Sequence, residues 1–349
     1  MYPPARILGC LLGCAVGDAI GLPREGLTVA RAARLFGPPP LRHALLFGRG
    51  LCSDDTEHLV MTARALCISN GDVTVFTAAL ARDLRCWIAT LPAGVGFATL
   101  RACLKLCIGM HPPHSAVRSA GNGPAMRAAI IGLAARDDSH LFALADASAT
   151  ITHSDPRAID GARIIALAAR RSSRNEMSSD RAALIDELAA HARDPEFREL
   201  LITAAAALRA GNSPSEFAAA RNWHRGVSGF INHTVTAALL CWLAHPGDFR
   251  GAVESAVTLG GDTDTVAAIT GSLVGCELGP AAIPQEWTDR LIEWPRNVDW
   301  MRRLAAALSE SINSRRRVAA PAMHWPRTIP RNAFFGATVL LHAARRLLP

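Results

Sequence analysis

Apolar residues recur along most of this chain at the three-to-four-residue spacing of a helix that buries one face. No run alternates with the period of two that a half-buried strand requires. The pattern predicts helices over Ala5–Val16, Thr28–Phe36, Asp55–Ile68, Val73–Ile88, Gly96–Cys107 and Pro124–Ala135. Further on it predicts Leu141–Ala149, Arg157–Arg170, Arg181–Ala192, Pro195–Leu208, Ser215–Arg221 and Phe230–Leu243. The last group is Phe249–Thr258, Thr263–Leu278, Trp287–Ile292 and Val298–Leu308. Thr28, Thr74, Ser154 and Ser213 fall where N-caps belong, because each side-chain oxygen can take an orphan N–H of a first turn. The expected fold is all-α, a compact single-domain orthogonal helical bundle over residues 1–312. The stretch NSRRRVAAPAMHWPRTIPRN that follows is rich in Pro and Arg and reads as a linker. A last helix, Phe334–Leu348, is expected to dock on the body, so that residues 313–349 form a linker and docking helix. No repeat of fixed period is present.

Composition supports a large core. Half of the 349 residues are apolar and 19% are charged, which argues against disorder. The net charge of +7 is carried by arginine, since Lys105 is the only lysine. Abundant Ala and Arg together read as compositional bias; attraction to an anionic ligand is the functional alternative. The densest basic cluster, SRRRV at Ser314–Val318, is too short to argue for nucleic acid. Nine cysteines, an odd number with no C-x-x-C, sit mostly in apolar helical patterns and read as reduced, buried thiols of a cytosolic protein. Cys103 and Cys107 share helical spacing but lack partners placed for zinc. Arg6 followed by ILGCLLGCAVG imitates an export signal, and LLGC a lipoprotein cleavage site. The run is short and flows into GDAIGLPREG, so these residues are expected to fold in place and the protein to be cytoplasmic. No other stretch approaches the roughly 18 apolar residues of a membrane span, and no membrane partner is expected.

Two stretches carry the chemistry. LGGDTDTVAAITGSLVG (Leu259–Gly275) and LCSDDTEHLVMTARAL (Leu51–Leu66) each gather acids and hydroxyls at the mouth of an apolar helix. Carboxylates without nearby His or Cys favour a hard cation such as Mg²⁺, Mn²⁺ or Ca²⁺. If GGDTDT is extended, Asp262 and Asp264 point one way, and Thr265 adds an oxygen. Two such clusters face to face supply enough oxygen ligands for a binuclear site with ions roughly 3.5–4 Å apart. Helix capping accounts for either cluster alone, since Asp, Ser and Thr stabilise N-termini without metal. Both readings stay open at this level.

GCLLGCAVGDAIGLPREG, SDDTEHLV, GNGPAMR, THSDPRAIDGA, GVSGFINHTVTAAL and LGGDTDTVAAITGSLVG, in this order, resemble the ADP-ribosylglycohydrolase family over roughly residues 5–310. The paired SDDT and GGDTDT motifs are the specific part. The resemblance implies an all-α fold with two Mg²⁺ or Mn²⁺ ions in a central cleft, held by Ser53, Asp54, Asp55, Asp262, Asp264 and Thr265. Serine at 53 replaces the threonine of some members and keeps the hydroxyl. It implies hydrolysis of the bond between ADP-ribose and a modified residue, usually arginine, and Glu25 falls where the family has a glutamate near the metals. Glu25 and Asp55 are the candidate catalytic carboxylates for positioning the attacking water or removing its proton. An ADP-ribosylated protein would be substrate and ADP-ribose product, with a cognate ADP-ribosyltransferase as a further partner; a monomer is expected.

The other motifs suit an anionic dinucleotide-like ligand. Gly121, Asn122 and Gly123 precede a helix and can offer backbone N–H groups to phosphate, or form an ordinary helix start. His153 is expected at the ADP-ribose. Phe230 suits stacking on adenine or a place in the core, and Asp18 reads as a buried structural acid. Two other functions remain: a non-catalytic ADP-ribose-binding or toxin-neutralising immunity protein, and a metal-dependent nucleotide pyrophosphohydrolase.

Overall fold

The structure, a computed structural model, describes residues 4–174 and 179–347. Among these it forms eighteen α-helices and no strand, only isolated bridges. The first half runs α1 (Pro4–Gly21), α2 (Val29–Phe36), α3 (Asp54–Ser69), α4 (Val73–Ile88), α5 (Phe97–Cys107), α6 (Gly123–Met126), α7 (Ala129–Ala134), α8 (Asp138–Thr152) and α9 (Pro156–Ser173). The second runs α10 (Ala182–Ala190), α11 (Pro195–Arg209), α12 (Pro214–Ala220), α13 (Ile231–Leu243), α14 (Phe249–Thr258), α15 (Thr263–Leu278), α16 (Gln285–Asp289), α17 (Val298–Ser314) and α18 (Trp325–Leu347).

Helices α1 and α15 form the axis and run antiparallel. Gly9, Gly13, Gly17 and Gly21, one turn apart, oppose Gly275, Gly271, Ala267 and Thr263. A Cβ at Gly13 would fall within the carbonyl of Gly271, and one at Gly271 within the carbonyl of Gly13. The two backbones therefore touch directly, which no larger side chain permits. Helices α3, α7 and α17 pack around α1, while α9, α13 and α14 pack around α15. This explains why α1, long and apolar enough to cross a membrane, is mostly buried inside the fold. Seven of the nine cysteines are also buried; Cys86 is partly exposed and Cys107 exposed.

Several expected boundaries shift. Asp72, not Thr74, caps α4 by accepting from Val75 N (2.9 Å), and Asp155, not Ser154, caps α9 by accepting from Arg157 N (3.0 Å). A carboxylate is the stronger acceptor and complements the helix dipole. The helix predicted over Pro124–Ala135 divides into α6 and α7, where the Arg127 side chain turns into the interior. The largest difference is in the C-terminal segment. Helix α18 begins at Trp325, nine residues before the predicted Phe334, within the stretch read as linker; the predicted end, Leu348, lies outside the described residues. Pro326 stands in the first turn, where N–H groups have no helical acceptor, and only Pro330 interrupts the ladder.

Buried arginine anchors this segment. Arg331, 1% exposed, donates to both carboxylate oxygens of Glu293 (2.9 and 2.6 Å) and to the carbonyl of Cys52 (2.5 Å). Glu293 in turn accepts from Cys52 N (3.1 Å), so the loop entering α3 is held through this ion pair. A second buried pair, Arg296 with Glu57, lies behind α3, and Glu57 also accepts from Trp87 Nε1 (2.6 Å).

Two measurements of stability follow from this packing. Gly13→Ala should destabilise by about 2–3 kcal/mol, because overpacking against a backbone outweighs the roughly 1 kcal/mol gain in helix propensity. Gly336→Ala on α18, where a Cβ would meet only Ala93 Cβ at 3.8 Å, should instead raise the melting temperature. Equal signs for the two would contradict the backbone contact. Arg331→Met should cost about 3–5 kcal/mol in urea unfolding, since it leaves Glu293 buried and unpaired, and Arg331→Met/Glu293→Gln should recover part of that loss.

Candidate active site

The N-terminus of α3 is built by α1. Asp18, fully buried, accepts from Ser53 N (2.9 and 3.0 Å), Thr56 N (3.2 Å) and Thr56 Oγ1 (2.6 Å). It is the structural acid that the sequence suggested. Burial pushes its carboxyl up to about 6 despite these donors. Ser53 is the N-cap of α3: its Oγ accepts from Asp55 N (3.3 Å) and donates to Asp55 Oδ2 (3.1 Å).

The second acidic cluster arrives from α15. Gly260 and Gly261 take positive φ values (74° and 79°), which turn the chain sharply into Asp262. Thr263 Oγ1 donates to Gly21 O (2.9 Å), seating the start of α15 on the end of α1. Thr265 Oγ1 then reaches Asp55 Oδ2 (3.3 Å), so two clusters far apart in sequence meet. Ser53, Asp54, Asp55, Asp262, Asp264 and Thr265 all line one cleft of about 370 Å³, together with Glu25, Gly121, Asn122, Gly123 and His153.

Capping explains only part of this. Ser53 caps, but Asp262, at the N-cap position of α15, makes no capping hydrogen bond. Its Oδ2 instead accepts from Asn122 Nδ2 (2.6 Å), which ties the GNG turn to the acids. Asp55 is 1% exposed and its Oδ1 has no partner. Burial, then the charges of neighbouring acids, pushes the carboxyls of Asp54, Asp55 and Asp264 well up; among those charges Asp18 acts most strongly on the first two and Glu25 on the third. Glu25 stands at the rim, where surrounding protein strips part of its hydration. That loss and Asp262 raise its carboxyl, opposed by Arg346. Among the described residues, no three His, Cys, Asp or Glu side chains are gathered tightly enough to hold an ion by themselves. Even so, the donor set fits a hard cation: every group is oxygen, one buried carboxylate oxygen is orphaned, and the mutual repulsion calls for positive charge.

The opposite wall is uncharged. His153, 2% exposed, takes Thr152 Oγ1 at Nδ1 (2.9 Å), and burial followed by Arg127 lowers it to about 3, so it is neutral. Gly121 and Gly123 give it room; a Cβ at Gly123 would stand 3.0 Å from His153 Cε1. Two of the N–H groups of this turn are engaged within the chain. Gly121 N donates to Ser119 Oγ (3.2 Å) and Asn122 N to Gly229 O (3.1 Å), so these N–H groups are already used. Helix α6 is a single turn and has little dipole to add. Phe230 does not line the cleft. Its backbone pairs with Gly121, and its ring packs on the core beneath Arg157 (5.5 Å).

Sequence reasoning missed Phe97, Thr99, Ser119, Phe335 and Val339, which also line the cleft. Phe335 and Val339 come from α18, whose Arg346 donates to Glu25 O (2.6 Å) and whose His342 Nε2 meets Pro23 O (2.9 Å). Their signal was hidden in the segment taken for linker and docking helix.

A model of the ADP-ribosylglycohydrolase family matches residues 3–317. An ADP-ribosylhydrolase ARH3 from Gallus gallus is 26% identical, covering 82% of this chain and 88% of its own. An ADP-ribosylarginine hydrolase Tri1 from Serratia proteamaculans is 28% identical, covering 82% and 75%. A solved structure described as an ADP-ribosylglycohydrolase-related protein complex superposes with a TM-score of 0.66 at 26% identity, covering 88% of this chain and 98% of that one. The match spans α1 through α17 and so takes in both acidic clusters and the GNG turn between them: the chain belongs to the ADP-ribosylglycohydrolase family, a family of hydrolases.

Proposed function

We propose that this cleft hydrolyses the N-glycosidic bond between ADP-ribose and a modified arginine, with two hard divalent cations, Mg²⁺ or Mn²⁺, held by Ser53, Asp54, Asp55, Asp262, Asp264 and Thr265. The observation that carries the reading is the buried, uncompensated carboxylate cluster with the orphaned Asp55 Oδ1, facing a neutral wall at His153. The arginine linkage draws support from the similarity to the Serratia ADP-ribosylarginine hydrolase. Bound cations would chelate ribose hydroxyls and make an attacking water more acidic.

The chain's own groups do the rest. Asn122 holds Asp262 in place, and Ser53 and Thr265 fix the orientation of Asp55. Glu25, at the rim, is placed to take a proton from water, and its raised carboxyl makes it a stronger base than a fully hydrated one. The bond broken has an oxocarbenium-like transition state, which neighbouring carboxylates stabilise electrostatically. The guanidine departs as a basic leaving group and takes up a proton.

Incubation with ADP-ribosyl-arginine and ADP-ribosyl-serine peptides, with and without Mg²⁺, tests this. Free ADP-ribose released from the arginine peptide only with metal is the expected result. AMP as product would indicate a pyrophosphohydrolase instead, and tight binding without turnover a binding protein.

Asp264→Ala should abolish release of ADP-ribose and leave a folded protein whose melting temperature no longer rises with Mg²⁺. An Asp264→Ala chain unfolded even without metal would mean that Asp264 serves stability. Glu25→Gln should lower single-turnover hydrolysis about 10²–10⁴-fold, with ADP-ribose affinity by calorimetry nearly unchanged.

The pH dependence of metal binding has a defined sign. The folded-state carboxyls lie above their unfolded values, so without metal their contribution to stability is present at low pH. It is lost as pH rises through the folded values, about 6 for Asp18. A cation must displace those protons. The rise in melting temperature caused by Mg²⁺ should therefore grow as pH rises through the raised carboxyls of Asp54, Asp55 and Asp264. A rise that is flat with pH would count against these carboxyls as ligands.

A further inference from the structure

Behind the neutral wall lies a cation without a counter-charge. Arg127 is fully buried. Its donors go only to neutral groups: Nε to Ser148 Oγ (3.0 Å), Nη1 to His58 Nδ1 (3.0 Å), and Nη2 to Ser148 O (2.9 Å) and Thr152 Oγ1 (2.7 Å). Burial lowers it only to about 10, so it stays charged at neutral pH. A guanidinium can only donate. Thr152 Oγ1 therefore accepts from Arg127, and its own proton must go elsewhere. The acceptor it meets is His153 Nδ1 at 2.9 Å. Were Nδ1 protonated, the fully buried Thr152 hydroxyl would receive two donors and leave its own hydrogen without a partner, which is costly.

We propose that Arg127 is a positioning residue that, through Thr152, fixes His153 as the Nε2–H tautomer and presents that N–H to an anionic oxygen of the ligand. The placement of Nε2 agrees. It makes no hydrogen bond among the described residues and is not sealed off, and its ring edge faces the Gly121–Gly123 turn on the cleft wall. The Gly121 and Asn122 N–H groups are used within the chain, so the histidine adds a donor at this wall that those two groups do not supply. Burial, with the field of the guanidinium added to it, keeps the imidazole neutral, and that field strengthens the donor. A neutral donor backed by a fixed positive charge suits a pyrophosphate oxygen. That ligand identity rests on the ADP-ribose reading; the tautomer does not.

Replacing Arg127 removes four hydrogen bonds at once and risks unfolding, so Thr152 is the discriminating site. The ligand-free protein, labelled with ¹⁵N-histidine, is examined by NMR, with the His153 signals assigned from a His153→Asn variant. The wild type should show one neutral tautomer, protonated at Nε2. Thr152→Val should give a mixture of tautomers and bind ADP-ribose about tenfold more weakly by calorimetry, while Thr152→Ser should retain both properties. A wild-type His153 protonated at Nδ1 would overturn the proposal, as would a Thr152→Val variant with unchanged tautomer and affinity. An Nε2–H tautomer in a wild type that fails to bind ADP-ribose would uphold the positioning role and sink only the reading of the ligand.

Discussion

The direct contact between the backbones of α1 and α15 sets the position of everything that bears on the cleft. Where glycine faces glycine, the helices approach until main chains touch, and the four-residue repeat of Gly9, Gly13, Gly17 and Gly21 against Gly275, Gly271, Ala267 and Thr263 keeps large side chains out of the whole seam. The closeness of approach is thus set by sterics. From it follow two consequences at the same end of the pair. Asp18 points from α1 into the first turn of α3, and Thr263 locks the start of α15 on Gly21. The two acidic clusters meet because both helices that carry them are referenced to α1.

The cleft stores electrostatic cost that the rest of the molecule avoids. Elsewhere, deeply buried acids have cationic partners: Glu293 has Arg331, Glu57 has Arg296, and Asp83 has Arg64. In and beneath the cleft, Asp18, Asp54, Asp55 and Asp264 have none, and the fully buried guanidinium of Arg127 is turned to histidine and hydroxyl groups instead. Separation of buried charge by sign, negative on one wall and positive behind the other, is unfavourable for an empty fold and useful for a ligand that brings cations and phosphates.

The all-α class and most helix positions were legible because amphipathic periodicity survives in a fold of this size, and the acids were legible because capping could not use them all. Other features were not. Asp72 and Asp155 displaced the hydroxyl caps because a carboxylate one or two residues away competes for the same N–H groups, a contest that spacing does not decide. The GNG turn looked like a phosphate cradle because glycines mark both backbone exposure and close packing; here they make room for His153 while Ser119 and Gly229 take two of the N–H groups. Arg127 carried no signal, since a buried arginine is identified by its partners in space and those lie on α3 and α8.

The C-terminal segment shows most clearly how composition misleads. Its prolines and arginines describe a solvated tether if the arginines face water. Arg331 does not: it is enclosed with Glu293 and holds the carbonyl of Cys52, one residue before Ser53. Residues 325–347 lie beyond the portion that the family model matches, yet Phe335 and Val339 form part of the cleft wall, and Arg346 grips the backbone of Glu25. The acids come from the part that the family model matches, whereas part of one wall and the brace behind two of its loops come from α18. Chemistry and the shape of the entrance are thus encoded in different parts of the chain, so the entrance can change through α18 without disturbing the register of α1 on α15.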